Sequence, residues 1–98
     1  MDDIKTRSHI QAHAEAVERG DMAAIIADFS DDLRPQVPQL AKALPQPVKT
    51  AEVQNVDVGD QESIATIRYS GDSSEVTIQS HWREIGDRPV IIHAQPID

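Results

Sequence analysis

Two histidines stand one helical turn apart near the start of the chain. His9 and His13 have the i, i+4 spacing that lets two imidazole rings on one helix reach a single metal ion. The zinc-protease pattern needs Glu directly after the first His, and this chain has Ile10 there. The spacing indicates no third ligand, so we expect no metal and no other cofactor. We expect His13 at the edge of a buried helix face and His9 in water.

A second histidine pair, His81 and His93, lies in two alternating runs that flank a Gly86-Asp87 turn. A three-residue loop would place His81 opposite His93, whereas a two-residue loop would place His93 opposite Ser80. A Ser–His pair needs a carboxylate that orients the imidazole and an oxyanion hole before it can act as a nucleophile. The sequence indicates neither, so a structural or dimer-face role is the simpler expectation for these histidines.

Helical periodicity governs the first half of the chain. Ile10, Ala14 and Val17 fall at i, i+4 and i+7 and therefore share one helix face. Gly20 suits the left-handed residue that ends a helix. Helices are predicted over Asp3–Arg19, residues 22–29 and residues 35–44. The second helix carries an apolar stripe that we expect to be buried: Met22, Ile25, Ile26 and Phe29.

From Val48 onward the hydrophobic period changes from helical to alternating. The alternation slips between Val53 and Val56, which predicts a β-bulge near Gln54 and Asn55. Strands are predicted over residues 48–58, Glu62–Ser70, Glu75–Ile85 and residues 89–97, with Gly-Asp pairs in the turns. Helices followed by an antiparallel meander indicate an α+β fold, with the helices on one face of a curved four-stranded sheet.

Length and charge limit the possible functions. The 98 residues predict one domain, residues 1–98, and 17 acidic against 9 basic residues give a net charge of −8. This charge disfavours binding to nucleic acid or to an anionic membrane. Cysteine is absent from the sequence, which excludes thiol catalysis and thiolate metal sites. An acidic start and the lack of a long apolar run favour a soluble cytoplasmic protein.

Two segments resemble a known superfamily. Arg19-Gly20-Asp21 leads into MAAIIADFSDD at residues 22–32, and WREIGDRPVI follows at residues 82–91. Together they resemble the nuclear-transport-factor-2-like superfamily, the cystatin-like α+β cone that includes SnoaL-like domains and ketosteroid isomerase. The resemblance implies a long first helix in the concave side of a bent sheet, a pocket between them, and homodimerisation through sheet faces. It does not imply one activity, because its members include isomerases, dehydratases, cyclases and binding modules.

The resemblance carries over no catalytic residue, because no position here matches the superfamily's catalytic Asp, Tyr or His. We therefore expect a small pocket module that binds an apolar or amphipathic molecule or serves as a dimeric assembly domain. The alternative is an isomerase- or dehydratase-like enzyme with a pocket His or Asp as general base. A buried carboxylate or His facing an open cavity would favour the enzyme. The expected pocket residues are His13, Tyr69, Trp82 and His93, and the expected dimer face carries Thr77, Gln79, His81 and Arg83.

Overall fold

The computed structural model describes residues 1–97, which form one long helix and two short helices followed by four strands. This order confirms the predicted α+β architecture. The helices are α1 (Asp3–Arg19), α2 (Met22–Ala27) and α3 (Val37–Ala41), with a 3₁₀ turn at Arg34–Gln36. The strands are β1 (Thr50–Val58), β2 (Glu62–Ser70), β3 (Glu75–Ile85) and β4 (Arg88–Pro96).

Helix α1 begins and ends where the sequence predicts. The Asp2 side chain accepts a hydrogen bond from the Lys5 amide at 2.8 Å and so caps the first turn. Gly20 ends the helix with φ of 71°, a conformation that costs glycine little. Ile10 and Ala14 are fully buried on the predicted inner face.

Both ends of α1 are fixed to the sheet. The Glu18 carboxylate accepts a hydrogen bond from the Ala51 amide of β1 at 2.7 Å. At the other end, Lys5 Nζ donates to the Asp87 carbonyl, in the turn before β4, at 3.1 Å. Helix α1 therefore extends from the turn between β3 and β4 to the first residues of β1, and His13 in its middle meets Trp82 of β3.

Helix α2 ends two residues earlier than predicted. Phe29 leaves the helix and forms an isolated parallel bridge with Ile91 of β4. The Ile91 amide donates to the Asp28 carbonyl at 2.7 Å, and the Ser30 amide donates to the Ile91 carbonyl at 2.9 Å. These tertiary hydrogen bonds replace the last helical ones, which is why the local pattern overestimated the helix.

The apolar stripe of α2 is only partly buried. Phe29 is 7% exposed, but Met22 is 47% and Ile26 37% exposed, so the prediction that the whole stripe is buried was wrong. Helix α3 is also shorter than the predicted residues 35–44, because its first turn is a 3₁₀ turn and Pro45 follows closely.

The sheet is an antiparallel meander with the order β1-β2-β3-β4. Strands β2 and β3 have the predicted bounds, and the pairing of β1 with β2 shifts between Val53 and Asn55, which confirms the predicted bulge. Ala65, Ile67, Tyr69 and Trp82 occupy the face under α1, here called the inner face. The opposite face, called the outer face, carries no packed helix among residues 1–97.

The hairpin of β3 and β4 combines features of both predicted registers. Ile85 pairs with Arg88 across a two-residue turn. A second shift between His81 and Trp82 leaves one extra residue on β4, so His81 still lies opposite His93. Ser80 pairs with Ala94, so the alternative pairing of Ser80 with His93 was wrong.

The buried core lies between α1 and the inner face. Its apolar members are Ile10, Ala14, Val17, Phe29, Val37, Ala65, Ile67, Tyr69, Trp82 and Ile91. Among residues 1–97, no helix has the length and apolar character needed to cross a membrane.

Candidate functional site

The most unusual group in the core is the carboxylate of Asp28. Its side chain is 10% exposed and accepts hydrogen bonds from three different side chains. His13 Nδ1 lies 2.8 Å from Oδ2, His9 Nε2 lies 2.8 Å from Oδ1, and Arg88 Nη2 lies 3.1 Å from Oδ1. Both carboxylate oxygens are therefore used, as burial of a charge requires.

Three elements bring these four side chains together. His9 and His13 are one turn apart on α1, so their rings project from the same side of the helix. The bridge between Phe29 and Ile91 places Asp28 beside β4. Arg88 is the first residue of β4 and reaches back to the same carboxylate.

Electrostatics keep Asp28 ionised. Burial by itself would raise the pKa of the Asp28 carboxyl. The hydrogen bonds from His13 and His9, together with their positive charge when protonated, outweigh burial and hold this pKa well below its usual range. Because an ionised carboxylate only accepts hydrogen bonds, both histidines donate to it.

The Trp82 side chain packs against both imidazole rings. The Trp82 side chain is 0% exposed, and its ring meets His9 and His13 edge to face, with centroids 5.8 and 5.3 Å apart. Its Nε1 donates to Ser80 Oγ at 2.9 Å, so the indole is fixed at its polar end as well. Phe29 adds a second edge-to-face contact with His13, at 6.2 Å.

A cavity of about 370 Å³ lies between the helices and the inner face. Met22, Gln95 and Pro96 belong to its wall and are exposed, so the cavity reaches the surface. Most of its wall is apolar, and the deep apolar residues include Val17, Ile25, Phe29, Val37, Leu40 and Ile91.

The wall also contains the polar residues His13, Glu18, Arg19, Gln46, Tyr69, Ser80 and Gln95. Burial raises the pKa of the Tyr69 hydroxyl, which is therefore neutral. His13 uses Nδ1 for Asp28, while its Nε2 makes no hydrogen bond to any residue in the described part of the chain. The Tyr69 hydroxyl likewise has no such partner within residues 1–97.

The four residues expected in the pocket do not form one group. His13 and Tyr69 belong to the cavity wall. Trp82 lies next to His13 but outside the cavity lining. His93 is exposed on the outer face, where its ring meets His81 edge to face at 5.5 Å.

Three members of the site, His9, Asp28 and Arg88, were not expected from the sequence. His9 is 29% exposed and bonded to Asp28, so the expectation that it lies in water was wrong. Asp28 lies 15 residues from His13 along the chain and 60 from Arg88, so no local pattern connects them. The available signal was an acidic residue directly before Phe29, at the end of an apolar segment.

The residues expected at a dimer face alternate along β3 and point away from Trp82. Arg83 is exposed and pairs with Glu62 of β2 at 2.6 Å. Gln79 and His81 are half-buried, and Thr77 is 7% exposed. Arg68, opposite Thr77 on β2, has a buried Nε without a hydrogen-bond partner in the described range 1–97.

The histidines do not form a metal site with their neighbours. Within the described residues, no three His, Asp or Glu side chains have the arrangement needed to hold a metal ion. His9 and His13 bind separate oxygens of Asp28, and this uses one ring nitrogen of each histidine.

Comparisons with known proteins define the fold. No family model matches the sequence, and no curated protein matches it. A crystal structure described as an NTF-2-like protein of unknown function from Burkholderia xenovorans LB400 is similar, with a TM-score of 0.72 and 18% identity over 98% of this chain and 85% of that one. A solution structure of a SEC-C motif containing protein from Rhodopseudomonas palustris has a TM-score of 0.65 and 13% identity, over 92% of this chain and 77% of that one.

The first of these similarities confirms the resemblance at the level of fold. The chain has the α+β cone of NTF-2-like proteins, with α1 packed on the inner face of the sheet. Identities this low show the fold alone, and functions vary widely within one fold. The features of this chain that bear on its function are therefore the cavity and the side chains around Asp28.

Proposed function

We propose that this protein binds a small, mostly apolar molecule in the cavity between its helices and the inner face. The observation that carries this proposal is the cavity itself, about 370 Å³ of open space in a 98-residue chain. The cavity opens to the surface, so a small molecule can enter it, and most of its wall is apolar. Its volume lies within the range of small-molecule sites, about 300 to 1,000 Å³.

The lining agrees with an amphipathic ligand. Apolar side chains on α1, α2, α3 and the inner face would contact most of the molecule. His13 and Tyr69 could each form one hydrogen bond with its polar group. Few polar groups in an apolar wall are typical of sites that select a ligand by shape and orient it by one or two hydrogen bonds.

Filling the cavity tests this proposal. Ala41 belongs to the cavity wall, and Ala41→Phe would occupy part of the space. Ala23→Phe is the matched control, because Ala23 is exposed on α2 and is not part of the wall. We expect toluene or p-cresol to raise the melting temperature of the wild type and of A23F, but not of A41F. Equal responses of A41F and A23F would contradict the proposal.

A second candidate is acid–base catalysis of the isomerase or dehydratase type, with His13 as general base. One observation favours it: a His in the cavity wall has one nitrogen on a buried carboxylate and the other unpaired within the described chain. This is the arrangement that orients a catalytic imidazole. Exchange of deuterium into the α-carbon of small cyclic ketones would test it, with His13→Gln expected to abolish the exchange and His93→Gln to leave it unchanged.

A homodimer formed through the outer face is the proposal for partners. The supporting features are the absence of a packed helix on this face in residues 1–97 and the unpaired buried Nε of Arg68, which a second copy could satisfy. Light scattering should give twice the chain mass, and Gln79→Glu should reduce it by adding a negative charge to the outer face of each copy. Gln11→Glu, on exposed α1 surface, is the control. A monomer at micromolar concentration would contradict the proposal.

A further inference from the structure

We propose that Asp28 is a positioning residue that fixes the tautomer of His13 and thereby selects hydroxylated apolar ligands. This inference rests on the proposed binding function and names the ligand class for the same cavity. The ligand would be neutral, would carry one O–H group, and would donate that hydrogen to His13 Nε2.

The geometry determines the tautomer. Nδ1 of His13 lies 2.8 Å from Oδ2 of Asp28, which is hydrogen-bond distance. A carboxylate has no proton to donate, so the proton in this bond belongs to Nδ1. A neutral imidazole carries one proton only, and in this hydrogen bond Nδ1 holds it. Nε2 therefore carries a lone pair and accepts hydrogen bonds.

The surroundings fix the orientation of the His13 ring. Asp28 Oδ1 is taken up by His9 Nε2 at 2.8 Å and by Arg88 Nη2 at 3.1 Å, and Oδ2 is left for His13. His13 is 6% exposed and packs against Trp82 and Phe29. These contacts hold the ring with Nδ1 on Asp28, so Nε2 is the nitrogen left for a ligand.

The tautomer determines which ligands fit. An O–H group can donate to Nε2 of His13, whose side chain belongs to the cavity wall. An ether has no hydrogen to donate, so it would leave Nε2 unpaired. A carboxylate would bring its lone pairs and its charge against the lone pair of Nε2. The affinity should therefore fall from the hydroxylated ligand to the ether and then to the carboxylate, because a site built to accept a hydrogen bond rejects analogues that cannot donate one.

The tautomers can be observed directly by ¹⁵N NMR of the imidazole rings at about pH 8. We expect the proton on Nδ1 for His13 and on Nε2 for His9, because the two rings present different nitrogens to Asp28. Asp28→Asn should reduce the Nδ1–H fraction of His13. Asp31→Asn, at an exposed carboxylate three residues away, should not change it. A wild-type His13 protonated on Nε2 would overturn the inference.

Ligand selection is measured with p-cresol, 4-methylanisole and p-toluate, which share one ring and one methyl group. The wild type and D31N should bind p-cresol about tenfold more tightly than 4-methylanisole, and p-toluate more weakly still. In D28N the preference for p-cresol should fall to about twofold or less. Equal affinity of the wild type for p-cresol and 4-methylanisole, or a preference for p-toluate, would overturn the inference.

The two readouts separate this inference from the proposed function. The NMR measurement needs no ligand and uses the wild type, so it decides the tautomer even if D28N does not fold. If none of the three compounds binds, the proposed cavity function is wrong, and the claim about ligand class falls with it. If all three bind without discrimination, the cavity function stands and the inference alone is overturned.

Discussion

His13 and Asp28 meet through a hydrogen bond of 2.8 Å between Nδ1 and Oδ2, and this contact joins the core to the cavity. One nitrogen of the imidazole is fixed by a buried carboxylate, and the ring forms part of the cavity wall. Charged side chains are seldom buried in an apolar core unless other groups pair with them. The contact therefore has consequences for stability as well as for binding.

Replacing the carboxylate should destabilise the fold. Asp28→Asn keeps the side-chain size but removes the charge that accepts from His9, His13 and Arg88. We expect the free energy of unfolding at about pH 7 to fall by about 2 to 3 kcal/mol, because hydrogen bonds to charged groups contribute about 1.5 to 3 kcal/mol. Urea unfolding followed by circular dichroism would measure it.

The control for this prediction is Asp31→Asn. Asp31 is 92% exposed and pairs with Arg34 at the surface, so its loss should change stability by about 0.5 kcal/mol or less. Equal effects of D28N and D31N would show that the buried carboxylate contributes no more than a surface one.

The same carboxylate should make stability depend on pH in the acid range. The pKa of Asp28 is lower in the folded protein than the value of about 3.9 expected in the unfolded chain. Between these two values the unfolded chain binds more protons, so stability falls as the pH falls. The contribution of Asp28 is present in full above about pH 5 and is lost as the pH drops below about 4 toward the folded-state pKa.

This pH dependence is measured as a difference between two proteins. The stability gap between wild type and D28N should shrink as the pH falls from about 4 to about 2. Other carboxylates titrate in both proteins, so they cancel in the difference. A gap that stays constant down to about pH 2 would contradict the low pKa.

The sheet could be predicted from the sequence because its signals are local. Alternating residues and Gly-Asp pairs give the bounds of β2 and β3 and the bulge near Gln54 without knowledge of distant contacts. The first helix likewise has a cap at each end within its own sequence. Helix α2 was overestimated because a distant residue, Ile91, takes over the hydrogen bonds of its last turn.

The candidate site could be predicted only in part, for the same reason. The spacing of His9 and His13 was visible and indicated that two imidazoles share one helix side. Their partner was not visible, because Asp28 reaches them through the packing of α2 against β4. His93 was expected in the pocket by its position in the hairpin, but the register places it on the outer face beside His81.

The turn between β3 and β4 provides a test of backbone geometry. Gly86 and Asp87 both have positive φ, 58° and 67°, as a two-residue type I′ turn requires. A methyl group at Gly86 would meet no atom within 4 Å, so Gly86→Ala tests only the conformational cost. We expect a loss of about 1 kcal/mol in the free energy of unfolding.

Gly20→Ala is the matched comparison for the turn. Gly20 has φ of 71° and equally open surroundings, at the end of α1 instead of in a hairpin. Both variants should lose similar stability in urea titrations, because the strain is the same. If G86A were as stable as the wild type while G20A was not, the turn would not have the positive φ described here.

The Trp82 ring packs edge to face against both His9 and His13, and two substitutions test what this packing contributes. Trp82→Ala should lower the free energy of unfolding by about 3 to 5 kcal/mol, because it removes the largest fully buried side chain. Trp82→Phe keeps an aromatic ring under His9 and His13 but leaves Ser80 Oγ without the indole donor. It should cost about 1 to 3 kcal/mol.

The two variants should also separate stability from site geometry. In W82F, the imidazole signals of His9 and His13 should keep the tautomers fixed by Asp28, since those hydrogen bonds do not involve the indole. Circular dichroism should follow unfolding, because Trp82 is the only Trp. If W82F cost as much as W82A, the polar contact with Ser80 would outweigh ring packing, and the account of Trp82 as a support for the imidazoles would be wrong.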